Sequence, residues 1–283
     1  MPIEIVEMAS WGSAETNEDR CGHAGAMAWV IDGATDLVDA PLVGEVSDAA
    51  WLAEHAHQQL HRLSDNPPPD LTALPQLLNA HLAKDFYSHS RIQPSFDWQH
   101  PSASALIVRA GKFGLEWIGL GDCALIAETG GSLTTIGISG ENAGDRETAC
   151  EVSRLHNEHG VLSEAERRAL IWPRIREERA ARLNKPGGNG VLSITPPPAE
   201  LIAHGNAEMQ PRSHALIASD GLIRLIDIYA RYDSRSLLEA VKLRGLDPLL
   251  TELRQIETTD ADCSRHPRVK QLDDATGILL RYV

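Results

Sequence analysis

Residues 103–137 read ASALIVRAGKFGLEWIGLGDCALIAETGGSLTTIG, and the fold turns on how this stretch is divided. Strand-like segments fall at 103–109, 114–120, 123–128 and 132–137, joined by glycine-bearing turns. Short strands in succession at hairpin spacing predict an antiparallel sheet. Outward toward the N-terminus, 2–9 alternates, and Ala26 to Ile31 is a short apolar run closed by Asp32-Gly33, so both read as strands. Toward the C-terminus, 214–219 and 275–283 read the same way. Leu52, Ala56, Leu60 and Leu63 recur at helical spacing behind Ser47, a suitable N-cap. Pro67-Pro68-Pro69 stops that helix, and Asp70 is placed to cap a second one through about Asp85. Helices also follow Asp220-Gly221 to about residue 257. Strands bracketing paired helices predict an α+β layered domain.

Residues 140–210 differ in character. Ser163-Glu164-Ala165-Glu166 is a capping box for a charged helix to about Leu183, with a kink expected at Pro173. Lys185 to Gly190 and Thr195-Pro196-Pro197-Pro198 then break the chain twice. The chain therefore reads as a single domain, 1–283, carrying 140–210 as an inserted flap.

The 283 residues include 40 Asp+Glu against 26 Lys+Arg, a net charge of −14, and 42% apolar residues. That is the composition of an ordinary globular protein. Without a Lys/Arg stripe there is little to neutralise phosphates, so nucleic acid and anionic membrane are excluded as partners. No apolar run approaches the roughly 20 residues of a membrane span, and no secretory signal is visible. Cys21, Cys123, Cys150 and Cys263 form no CxxC pair, which suits a cytoplasmic, reducing compartment.

Candidate chemistry lies in carboxylates at strand ends: Asp32, Asp122, Asp220 and the pair Asp273-Asp274, with Asn17-Glu18-Asp19-Arg20 after the first strand. Any single Asp-Gly is most simply a turn. Strand ends in one sheet lie about 5 Å apart, however, so five such positions can converge. Crowded carboxylates repel, and a divalent cation relieves them. All-oxygen donors select Mg²⁺ or Mn²⁺. Two such ions about 4 Å apart would activate water for in-line displacement at phosphorus.

In that order the motifs Asn17-Glu18-Asp19, Val30-Ile31-Asp32-Gly33, Gly121-Asp122, Ala218-Ser219-Asp220-Gly221 and Asp273-Asp274-Ala275-Thr276 resemble the signatures of the metal-dependent Ser/Thr protein phosphatases, the PPM or type-2C family. The resemblance spans about residue 5 to 283. It implies two antiparallel sheets in a central sandwich flanked by antiparallel helix pairs, a four-layer α/β/β/α arrangement. It also implies a phosphoprotein or phosphopeptide substrate and two Mn²⁺ or Mg²⁺ ions, with a third in a looser site. Carried over, Asp32 would bridge both metals and the Gly33 carbonyl would bind one. Glu18 would act through water, Asp220 and Asp273 would hold the other ion, and Asp122 the third. Asp19, Asp32 and Asp220 would be the catalytic carboxylates, with Asp19, or a metal-bound water, assisting the leaving oxygen.

The sequence also departs from that pattern. Where the family has an Arg that grips phosphate, this chain has Ala14. Ala34-Thr35-Asp36 replace the usual residues after Asp-Gly, and Arg224 stands where an acidic third-metal ligand is common. Arg20 or Arg224 are candidates to replace the grip, and so is the flap helix carrying Arg167, Arg168, Arg174, Arg176, Arg179 and Arg182. The alternatives are a catalytically silent phosphatase-like binding module and a phosphatase for a small phosphate ester. His55, His57 and His61 read as a solvated helix face, and Cys263 with His266 as a surface loop.

Overall fold

The computed structural model describes residues 3–138 and 143–283. The first residue of the expected strand 2–9 and the first three of the expected flap lie outside the described residues. Eleven strands are present among the described residues: β1 (Ile3–Trp11), β2 (Arg20–Ala24), β3 (Met27–Ala34), β4 (Ser102–Gly111), β5 (Gly114–Leu120), β6 (Ala124–Thr129), β7 (Ser132–Ile136), β8 (Leu192–Ser193), β9 (Ala203–Glu208), β10 (His214–Ala218) and β11 (Ala275–Tyr282). Seven helices accompany them: α1 (Asp48–Ser64), α2 (Leu74–His89), α3 (Ala143–His159), α4 (Glu164–Arg182), α5 (Asp220–Asp227), α6 (Ser234–Arg244) and α7 (Leu246–Thr259).

The strands form two antiparallel sheets, β1-β11-β10-β6-β7 and β2-β3-β4-β5-β9, with β8 paired to β4. Side chains alternate across a strand, so each sheet buries two faces. Ala28, Val30, Leu106 and Val108 meet Leu125, Ile217, Ile278 and Leu280 between the sheets. Trp29, Ile31 and Ile107 point the other way, onto Leu52, Leu60, Leu74 and Leu78 of α1 and α2. Ile126, Leu216 and Leu279 pack under Leu222, Leu237 and Leu250 of α5, α6 and α7. Burial of each such side chain stabilises by roughly 1.5–3 kcal/mol. The result is the α/β/β/α layering the motifs implied.

The run 103–137 corrects one expectation. Its four strands do not share a sheet: the hairpin β4–β5 belongs to one and β6–β7 to the other. Hairpin spacing reports local pairing only. The crossing is made at Gly121, whose φ is +74° and where a Cβ would collide with Ser104. Asp70 caps a single 3-10 turn through the Thr72 amide, and α2 starts at Leu74 with Pro75 in its first turn. Helix α3 had no sequence signal strong enough to read, and the polar strands β2 and β9 were missed for the same reason. Val152 and Leu155 of α3 pack with Leu162 and with Ile171 of α4 in a small cluster of their own.

Candidate metal centre

Residues from four separate turns meet at one end of the sandwich. Asp32 and Gly33 lie near the end of β3, Asp122 in the β5–β6 turn, Asp220 at the start of α5, and Asp273 just before β11. All five line one cleft of ≈ 240 Å³, together with Lys270. The Asp220 amide faces Asp32 Oδ2 at 3.4 Å, and the two carboxyl groups also hydrogen-bond. Burial, then the charges of Asp220, Asp19 and Asp122, push the Asp32 pKa well above the carboxylate range. Burial also lifts Asp220 to about 6, with Asp273 and Asp122 adding to it and Arg224 opposing. Asp122 is fixed by Ser104, whose hydroxyl donates to Oδ1 at 2.6 Å.

Glu18 sits beside Gly33 rather than in the cleft lining. A Cβ on Gly33 would lie 2.6 Å from the Glu18 carbonyl oxygen, so glycine permits this approach. The Glu18 carboxylate accepts hydrogen bonds from Thr35 Oγ1 (2.9 Å) and Ser47 Oγ (2.5 Å). Ser47 also accepts from the Ala50 amide at 3.1 Å, so the N-cap of α1 and the support of Glu18 are one side chain. Ser47→Ala should therefore cost about 0.5–2 kcal/mol through the cap. Urea denaturation would check this, and an unchanged midpoint would contradict it.

Asp19 is 1% exposed, and both carboxylate oxygens lack a hydrogen bond in good geometry. Burial lifts its pKa to about 7; the hydroxyls of Thr276 and Ser219 oppose this, while Asp274 and Asp220 add to it. It does not line the cleft, so the expected direct assistance to a leaving oxygen is not offered by this geometry. Asp19 instead backs Asp32 and Asp220.

The donor set divides into two ends. Asp32, Asp122, Asp220 and the Gly33 carbonyl are hard oxygen donors whose mutual repulsion a divalent cation would relieve, so this end fits Mg²⁺ or Mn²⁺. Among the described residues no three His, Cys, Asp or Glu side chains form a ready-made cage. Asp273 differs. Lys270 Nζ donates to its Oδ1 at 2.8 Å, and Arg224 Nη2 pairs with its Oδ2. Burial raises the Asp273 carboxyl, yet Arg224 and Lys270 outweigh it and hold the pKa at about 2. This end does not fit a metal ion.

Neither candidate arginine reaches the cleft. Arg20 pairs with Glu54 at 2.6 Å and donates to the carbonyls of Asn17 and Asp19. Arg224 lies behind Asp273 against Glu257. The flap helix does reach it: Arg168, Trp172, Ile175 and Arg179 of α4 form a wall of the cleft. Arg174 is the salt-laced surface residue of the expected kind, paired with Glu147 and Glu178. His57 is no solvated face, since it accepts the Trp29 indole N–H at 3.2 Å, and Cys263 is buried beside Arg167.

A comparison with protein-family models finds no match, and neither does one with curated proteins. Solved structures do match along the whole chain. The Mycobacterium tuberculosis serine/threonine phosphatase PstP/Ppp is 14% identical with a TM-score of 0.58, covering 100% of this chain and 99% of that one. The catalytic domain of PstP in complex with 2 manganese ions is 15% identical with a TM-score of 0.52, covering 97% and 95%. The phosphatase Stp1 from Staphylococcus aureus is 11% identical with a TM-score of 0.54, covering 100% and 96%. The chain thus has the fold of the PPM Ser/Thr phosphatases. Among the described residues no helix is long and apolar enough to cross a membrane.

Proposed function

We propose that this protein is a metal-dependent phosphoester hydrolase acting on phosphoserine or phosphothreonine in a phosphoprotein. The observation that carries the reading is the convergence of Asp32, Asp122 and Asp220 in a cleft whose facing wall bears Arg168 and Arg179. Solved neighbours of this fold are named as serine/threonine phosphatases, one of them holding manganese, which supports it. The chain works as one domain, 1–283, with α3, α4 and the residues to 210 as a flap beside the cleft. Its free cysteines suit the cytoplasm.

A bound Mn²⁺ or Mg²⁺ supplies Lewis acidity and a water of lowered pKa. Asp32, Asp220 and the Gly33 carbonyl would hold it, with Asp122 alongside and Glu18 acting from the Gly33 side. Arg179 and Arg168 face where an anionic substrate enters, in place of the grip that Ala14 cannot provide. Arg179 donates to the Thr35 carbonyl at 3.3 Å and makes no ion pair within 4 Å among the described residues, whereas Arg168 is paired with Glu164 at 2.6 Å. Arg179→Ala should raise KM for a phosphopeptide about 10- to 100-fold, the loss of one charge-assisted contact. A KM within twofold of wild type would remove Arg179 from substrate binding.

The direct test is hydrolysis of a phosphothreonine peptide and of an aryl phosphate by the full chain, with Mn²⁺ and with chelator. Turnover only with Mn²⁺ supports the reading. A second reading, a module that binds phosphorylated ligands without turnover, is favoured by the cations that tie down Asp273. Calorimetric binding of the phosphopeptide with no phosphate released would select it.

A further inference from the structure

We propose that Lys270 and Arg224 stand in for a second divalent ion, so that the cleft takes one Mn²⁺ or Mg²⁺, at its Asp32 end, with the Lys270 ammonium as its second cation. This rests on the metal-dependent reading above but concerns how many ions the site holds. The structure shows a closed charge network around Asp273. Lys270 Nζ holds Oδ1 and Arg224 Nη2 holds Oδ2. Arg224 also meets Glu257 at 3.3 Å, and Glu257 pairs with Arg254 at 2.5 Å. Arg254 returns to the Asp273 carbonyl at 2.6 Å. Three cations therefore serve two carboxylates, Asp273 and Glu257.

Burial makes this arrangement durable. Glu257 is 0% exposed and Arg224 8%, so the inner part of the network belongs to the packed interior, while the Lys270–Asp273 pair forms its cleft edge at 25% and 16% exposure. A divalent ion arriving at Asp273 would find both oxygens engaged and a surplus positive charge already there. Lys270 alone of these cations lines the cleft, three residues before Asp273, and Glu18 also lies within its electrostatic reach. It is therefore the member that can face a bound phosphoryl group. At the Asp32 end, burial and neighbouring carboxylates dominate around Asp32 and Asp220, with Arg224 only partly opposing them at Asp220.

The test uses Mn²⁺ alone on the full chain, counted by titration calorimetry and by metal analysis after equilibrium dialysis, with electron paramagnetic resonance of the bound ion. One Mn²⁺ per chain is expected, showing the hyperfine pattern of an isolated ion. Lys270→Ala, which frees Oδ1 and the cleft-facing space, should admit a second ion at millimolar Mn²⁺. Two ions bound to the wild type with an exchange-coupled signal would overturn the proposal, as would a Lys270→Ala chain that still binds only one. If that variant fails to fold, the wild-type count and spectrum decide alone. Hydrolysis measured on the same samples separates the two readings. One bound ion without turnover overturns the hydrolase and leaves the one-ion site standing, while two ions with turnover do the reverse. No bound ion overturns both.

Discussion

Asp32→Ala should reduce Mn²⁺-dependent kcat/KM on a phosphothreonine peptide by at least about 100-fold, the upper range for losing even a supporting group of a metal site. Asp32 is the carboxylate on which the charges of Asp220, Asp19 and Asp122 all act. The variant should nevertheless fold. Burial and neighbouring charge raise the Asp32 pKa, so ionising it costs the native chain stability as pH rises above the unfolded carboxylate range. Removing the group removes that cost, and the variant in chelator should melt no lower than wild type, and higher at alkaline pH. Adding Mn²⁺ tests the same site without turnover. Binding at about 100 times Kd stabilises by about 2.7 kcal/mol, so the wild-type melting temperature should climb while the variant's stays put. Retained turnover in Asp32→Ala, or an equal Mn²⁺ shift in both chains, would contradict the assignment.

Much of this centre was legible because the acids at strand ends obey a simple rule. An Asp that ends an apolar strand is held by the sheet, so Asp32, Asp122 and Asp220 could be placed without coordinates. What escaped reading were contacts that depend on side-chain direction. Arg179 and Arg168 looked like any charged helix face, and only the lie of α4 across the cleft aims them inward. Arg224 was visible as an oddity, but its turn toward Glu257 needed α7 to be packed beside α5. Lys270 carried a signal that was available and overlooked: a cation three residues before a candidate ligand, in a loop short enough to fold back on it. The wrong single-sheet reading of 103–137 has a similar cause. Apolar alternation states that a strand has a buried face, and here every strand has two, so it could not say which sheet each would join.

The second large effect belongs to Asp274. Its Oδ1 accepts the Ser13 amide and its Oδ2 the Glu18 amide, each at 2.6 Å, and the side chain is 6% exposed. One carboxylate beside β11 therefore fastens the loop after β1 that delivers Glu18 and Asp19. Asp274→Ala would leave two amides without their acceptor. Hydrogen bonds to a charged group contribute about 1.5–3 kcal/mol each, and neighbouring losses are not additive, so about 3 kcal/mol or more should be lost. Asp274→Asn keeps one acceptor and turns an NH₂ toward the other amide, so it should fall between alanine and wild type. Urea denaturation gives the ordering, and hydrogen exchange at Ser13 and Glu18 should accelerate in both variants while the β10–β11 amides stay protected. Catalysis should drop through the displaced Glu18 even where the chain is folded. A loss under about 1 kcal/mol for Asp274→Ala, with unchanged exchange at those two amides, would mean that the loop is held by its own turns.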